Sequence, residues 1–196
     1  MPHFYIDMDG VLVKYDENGY KGDLPPFMDP LKHYFLNLNP DIKMLNVTKR
    51  LIKAKYPLDI LTTVSNVGSI ALVQIEDKIE WLHKYLPDLD TDKHFIAAMC
   101  DKRNIAEAIK FSQSHTHING RILTLDDVII DDWNDNLNGF ADAGGTSIKY
   151  LNGINSKSDK FNGIHLDLSM TEDQIFKLLT KHINYISNER KDSDED

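Results

Sequence analysis

His3-Phe4-Tyr5-Ile6-Asp7-Met8-Asp9-Gly10-Val11 is the stretch on which the fold turns. Its aromatic and β-branched residues suit a buried strand over His3 to Met8. A carboxylate inside so apolar a run is costly unless something pairs with it. Asp7 therefore reads as a functional acid rather than as a turn cap. Asp9 and Gly10 follow where the strand should end and the chain should turn. Acids delivered by the end of a buried strand are expected where open α/β sheets bind their ligands.

Downstream, short apolar runs alternate with segments of helical period, the pattern of a parallel sheet covered by helices. Leu58 to Thr62, His94 to Met99, Val128 to Ile130 and Thr146 to Leu151 are the further strand candidates. Asn39 is the expected N-cap of a first helix, with Pro40 at its first position and Met44, Val47, Leu51 and Ile52 inward. A second helix carries Leu72, Ile75, Ile79, Leu82 and Leu86 on one stripe and stops at Pro87; a third turns Ile105, Ala108 and Ile109 inward. The last begins at a capping box, Thr171 to Gln174, and buries Ile175, Leu178, Leu179, His182 and Ile186. The expectation is a three-layer, Rossmann-like α/β core over 1–13 and 40–186, with a mainly parallel sheet. A small cap over 14–39, rich in turn formers, is inserted after the first strand, and a charged tail over 187–196 is expected to be disordered.

Composition narrows the function. The chain has 196 residues, 41% hydrophobic and 27% charged, with 22 Lys and Arg against 31 Asp and Glu. A net charge of −9 argues against binding long nucleic acids or anionic membranes, whose affinity rests on basic patches. It leaves room for a small anion held by local cations. No apolar run has the length of a membrane helix, and Asp7 and Asp9 interrupt any leader-like start. With Cys100 as the lone cysteine, the protein reads as cytosolic.

Polar residues gather at the strand ends: Asp7 and Asp9, Thr62 and Thr63, Asp101 and Lys102, Asp131 and Asp132. In this order the set resembles the motifs of haloacid dehalogenase-type phosphohydrolases. Phe4 to Val11 gives an apolar strand ending in D-x-D-G-V, and Ile60-Leu61-Thr62-Thr63 a strand ending in hydroxyls. Asp101-Lys102 and Val128-Ile129-Ile130-Asp131-Asp132 complete it. Within that superfamily the chain is similar to the 5′(3′)-deoxyribonucleotidase branch, through Thr62-Thr63, the helix from Glu76 to Leu86, and the Asp-Lys and Asp-Asp pairs. The cap is shorter than that branch normally carries.

The resemblance implies a magnesium-dependent phosphomonoester hydrolase working through an aspartyl-phosphate, with a nucleoside monophosphate as substrate. Asp7 would be the nucleophile and Asp9 the acid and base. Gly10, Thr62, Thr63 and Lys102 would hold the phosphoryl oxygens. Asp7, the backbone of Asp9, and Asp132 would bind the metal, Asp131 orienting the surroundings or helping to hold Lys102. Two alternatives accompany this reading. One is a phosphatase or phosphotransferase for another small phosphate or a phosphorylated chain end; the other is a non-catalytic phosphate-binding module on the same scaffold.

Other residues have plainer readings. His115 and His117 lack partners at zinc-site spacing and read as an exposed loop, His182 as a core histidine, and Cys100 as strand packing. Lys78 reads as a solvated helix position, the alternative being that it reaches an anionic substrate. Tyr15, Tyr20 and Phe27 either stack on a base or form the core of the cap. Trp133 borders the pocket mouth, and Gly144-Gly145 is a turn feeding the last strand.

Overall fold

The structure, a computed structural model, describes residues 1–15, 25–98, 123–155 and 161–181. Tyr20, Cys100, the Asp101-Lys102 motif, the helix expected around Ile105, His115, His117, His182, Ile186 and the tail lie outside the described residues.

The strands are β1 (His3–Ile6), β2 (Leu58–Thr63), β3 (Phe95–Ala98), β4 (Asp127–Asp131), β5 (Thr146–Leu151) and β6 (Ile164–Asp167). They form one sheet in the order β3-β2-β1-β4-β5-β6, and every pairing is parallel. Central strands of such a sheet are covered on both faces and need apolar side chains on both. Phe4 and Ile6 of β1, with Val128 and Ile130 of β4, pack on one face, while Tyr5 and Ile129 pack on the other.

Helices complete the three layers. Helix α1 (Ile42–Lys53) and α2 (Gly68–Tyr85) cover the first face, and a short α3 (Thr91–His94) leads into β3. Helix α4 (Asn134–Asp142) covers the second face with Leu137 and Phe140. The last helix, α5 over 172–181, returns Ile175 and Leu179 to the first face. It starts at the expected capping box: Gln174 N donates to Thr171 Oγ1 at 3.2 Å, and Thr171 N to Gln174 Oε1 at 2.8 Å. No helix among the described residues is long and apolar enough to cross a membrane.

The structure corrects several expectations. Helix α1 is capped by Asp41, whose Oδ1 accepts from Met44 N at 3.0 Å, not by Asn39. Pro40 stays outside the helix and bridges Val13. Strand β6 was not anticipated. Of the stripe expected on α2, Ile75, Ile79, Leu82 and Leu86 do pack in or against the core, but Leu72 is 61% exposed, and Ala71, Gln74, Asp77, Lys78 and Trp81 are buried besides. The cause is a second covering layer. Short 3-10 turns at Pro26–Met28, Pro30–Lys32 and Phe35–Asn37 cover the flank of α2 that carries Gln74, Asp77, Lys78 and Trp81. Helix α2 is thus buried between the core and this segment. Gln74 donates to the Phe27 carbonyl, Asp77 binds His33, and Trp81 Nε1 donates to the Leu38 carbonyl.

Candidate active site

In this strand order the chain leaves β1 toward β2 and β3 and returns on the other side through β4, so the crossover direction reverses between β1 and β4. A crevice opens at the C-terminal edge where that happens. Asp7 follows β1, and Asp131 and Asp132 stand at the end of β4. One ligand oxygen from each of these three buried acids lies within 4.8 Å of the others. Such carboxylates repel one another unless a cation neutralises them, and an all-oxygen donor set suits a hard divalent ion.

Each acid is aimed by its neighbours. Asp7 Oδ1 accepts from Met8 N at 2.7 Å. Asp131 accepts from Trp133 N at 2.8 Å and from Asn136 Nδ2 at 3.0 Å. Asp132 Oδ2 accepts from Asn152 Nδ2 at 2.7 Å and Asn155 Nδ2 at 2.9 Å. The buried Lys149 of β5, paired in register with Asp131, donates to the Asp132 carbonyl at 3.1 Å and to Asn134 Oδ1. Asn136, Asn152, Asn155 and Lys149 escaped the sequence reading. The one signal for the asparagines was Asn152-Gly153 directly after a strand, which by itself marks only a turn.

Asp9 faces elsewhere. Its Oδ2 accepts from Lys78 Nζ at 2.5 Å, and that ammonium also donates to Thr62 Oγ1 at 2.6 Å and the Thr63 carbonyl at 3.0 Å. Lys78 is 0% exposed and lies 4.2 Å from the centroid of the Phe35 ring, a cation–π contact. The solvated reading of Lys78 is therefore wrong, because the segment around Phe35 closes over the flank of α2 that would otherwise meet water. Asp9 Oδ1 is buried and has no hydrogen-bond partner among the described residues. The acidic cluster does not include the Asp9 carboxylate, so any share of Asp9 in a metal site falls to its backbone.

Two of the residues expected to hold phosphate make contacts within the protein. Gly10 N donates to Val13 O at 2.9 Å, closing the turn. Gly10 is needed for space: at φ +87° a Cβ would lie 2.2 Å from Asp132 Oδ2 and 2.8 Å from Asn152 Nδ2. The Thr62 hydroxyl is buried between Lys78 and Asp9, 3.4 Å from Asp9 Oδ2. Thr63, its exposed neighbour, lines the pocket.

A cavity of about 390 Å³ contains Asp7, Asp9, Tyr15, Thr63, Asp132, Trp133, Asn136 and Asn155. Trp133 stands at its mouth, 52% exposed. A second cavity of about 240 Å³ shares Asp9, Tyr15 and Thr63 and adds Phe27, Met28, Phe35 and Gln74. Tyr15 stacks on Phe35 at 6.5 Å and meets Phe27 at 5.9 Å, so these rings both pack together and line a space beside the acids.

Solved structures share this architecture. D,D-heptose 1.7-bisphosphate phosphatase from B. bronchiseptica, complexed with magnesium and phosphate, aligns with a TM-score of 0.63 at 13% identity over 93% of this chain and 99% of that one. A hydrolase from Pseudomonas syringae aligns with a TM-score of 0.55 at 12% identity, over 95% and 99%. No protein-family model and no curated protein matches the sequence. The fold shared with these structures is a Rossmann-like α/β fold, a parallel six-stranded sheet covered by helices.

Proposed function

We propose that the chain hydrolyses phosphate monoesters, with magnesium as its metal and Asp7 as the residue that becomes phosphorylated. The observation that carries this reading is the division between two aspartates of one turn. Asp7 joins Asp131 and Asp132, whereas Asp9 is held apart from them by Lys78 through Oδ2, its Oδ1 without a partner among the described residues. Carboxylates placed in such different surroundings take different roles.

Asp7, Asp131 and Asp132 would hold the metal, together with the Asp9 carbonyl that the family resemblance implies. When bound, magnesium supplies charge neutralisation on the phosphoryl oxygens. The remaining chemistry belongs to the chain. A carboxylate oxygen of Asp7 attacks phosphorus, the bond to the ester oxygen breaks, and Asp9 gives that oxygen its proton. Asp9 then takes a proton from the water that attacks the phosphorus of the aspartyl-phosphate, releasing inorganic phosphate and the Asp7 carboxylate. Lys78 orients Asp9 throughout and places a buried positive charge beside the pocket.

For the substrate we infer a nucleoside monophosphate, as in the 5′(3′)-deoxyribonucleotidase branch. Its support is the apolar cavity lined by Tyr15, Phe27, Met28 and Phe35, which opens onto Asp9 and Thr63. Aromatic walls there suit a flat base.

The test is phosphate release with and without magnesium. Its substrates are deoxy- and ribonucleoside 5′- and 3′-monophosphates, sugar phosphates and an aryl phosphate, with Asp7→Asn as control. Magnesium-dependent release that favours nucleotides and disappears in Asp7→Asn is expected. Release confined to sugar or aryl phosphates would remove the nucleotide assignment. Wild-type activity in Asp7→Asn would remove the nucleophile.

A further inference from the structure

Gln74 is 5% exposed and sits on α2 one turn before Lys78. Its Oε1 accepts from Ser65 N at 2.7 Å, and its Nε2 donates to the Phe27 carbonyl at 2.7 Å. A backbone N–H can only donate and a carbonyl can only accept, so the amide has one possible orientation. Ser65 lies just beyond Thr63, on the loop that carries the reaction pocket's hydroxyl edge. Phe27 belongs to the covering segment. Gln74, Ser65 and Phe27 all line the apolar cavity.

The other ties from α2 are placed differently. Asp77 binds His33, whose side chain is 56% exposed, and Trp81 reaches Leu38; neither pair lines the cavity. Lys78 holds Asp9 and Thr63 and meets the Phe35 ring from the reaction pocket's side, whereas Gln74 joins the Ser65 and Phe27 walls of the cavity by hydrogen bonds to backbone. Being buried, its hydrogen bonds compete little with water, and losing one leaves a polar group unpaired.

We infer that Gln74 is a positioning residue: it sets the apolar cavity against the reaction pocket and so favours esters with a flat apolar leaving group over small alkyl ones. The inference rests on the hydrolase reading above and goes beyond it, because the selection lies in a residue that touches neither phosphate nor metal ligand. Displacing the Phe27 side changes the fit of the leaving group. Displacing the Ser65 side also shifts Thr63, and with it the chemistry on every ester.

Two variants separate these effects. At pH 8 Gln74→Glu keeps an acceptor for Ser65 N and loses the donor to Phe27, whereas Gln74→Met loses both at similar volume. Steady-state kinetics would compare phenyl phosphate with glycerol 3-phosphate. For Gln74→Glu the expected result is a rise in KM about tenfold larger for the phenyl ester than for the glycerol ester. Gln74→Met should add a fall in kcat on both. Equal losses on the two esters in Gln74→Glu would overturn the proposal.

Amide hydrogen exchange gives a readout independent of turnover. Residues 25–38 should exchange faster in both variants, and Ser65 N faster only in Gln74→Met. Unchanged exchange across 25–38 in both would refute the tie itself. Absence of phosphate release from the unaltered chain would count against the hydrolase reading, and the exchange measurement would still decide for or against Gln74.

Discussion

Replacing Gly10 by alanine tests how the acidic cluster proposed to hold magnesium is built. The backbone at Gly10 has φ +87°, a left-handed conformation that costs an L-residue about 1–2 kcal/mol. The new Cβ would lie 2.2 Å from Asp132 Oδ2, 2.6 Å from its Cγ and 2.8 Å from Asn152 Nδ2. Contacts that short cannot persist, so Asp132 must move. It cannot rotate away cheaply, because its Oδ2 is held by Asn152 and Asn155, and Asn152 also donates to the Gly10 carbonyl at 2.8 Å. Strain and disrupted hydrogen bonds together amount to about 2–4 kcal/mol of lost stability. The functional loss should be larger in kind: a displaced ligand and its supporting amide lower magnesium affinity by about 10–100-fold. Urea unfolding measures the first quantity and titration calorimetry with magnesium the second. Gly144→Ala is the control. It has the same backbone problem at φ +98°, but its Cβ would meet only the Leu123 carbonyl, at 3.0 Å. That variant should lose stability and keep magnesium affinity. Gly10→Ala binding magnesium as tightly as the parent would refute the argument.

Three further outcomes are expected. Lys78→Met should abolish most turnover and cost about 2–4 kcal/mol, the loss from breaking a buried ion pair reduced because the Asp9 side chain is 20% exposed; thermal unfolding beside kinetics checks both. Asp59→Asn should cost about 1–3 kcal/mol in chemical denaturation, because buried Asp59 meets His3 Nε2 at 2.6 Å and His94 Nδ1 at 3.0 Å through separate oxygens, and the amide puts a donor in place of one of them, so that ring must change tautomer or lose its bond. His33 is held above its ordinary value, first by the hydrogen bond to Asp77 and then by the charges of Asp77, Glu80 and Glu76. Its folded-state preference is for the protonated form, so the His33–Asp77 contribution to fastening residues 25–38 is fully present below about pH 6.5 and is lost as pH rises through the raised folded value, while the ties through Gln74 and Trp81 persist. Hydrogen exchange of that segment should quicken across this window and should lose its pH dependence in His33→Ala, beyond the intrinsic chemistry of exchange.

Legibility in the sequence followed locality. Strand β5 was read at its exact bounds and α5 at its start, because strand composition and the Thr171–Gln174 box are local signals. Asp7, Asp131 and Asp132 stood out because acids beside buried strands violate the apolar pattern. Strand β6 did not, since Ile164–Asp167 is a short edge strand in which Leu166 alone is buried. Lys78 was hidden for a different reason. Its four-residue spacing from Gln74 makes them neighbours on one flank of α2, but nothing local reveals that Phe27 and Phe35 cover that flank. The Thr62 and Thr63 pair shows the same limit: alternation places them on opposite sides of β2, yet only the packed helix shows which side meets Lys78 and which meets the pocket.

The position of β1 has a consequence for how the molecule assembles. This earliest strand lies in the middle of the sheet, with Phe4 paired to Leu58 on one side and Val128 on the other. Its hydrogen bonds can be completed only after most of the chain is available, and such distant pairings make a topology slow to form. On a ribosome, Asp7 emerges long before Asp131 and Asp132, so a nascent chain carries one of the three acids of its cluster well before the other two. Until β4 docks, the apolar edge of β1 stays open to pairing with other chains. Single changes that weaken the β1–β4 seam should therefore show first as poor recovery of soluble protein during synthesis, before any defect is seen in molecules that have finished folding.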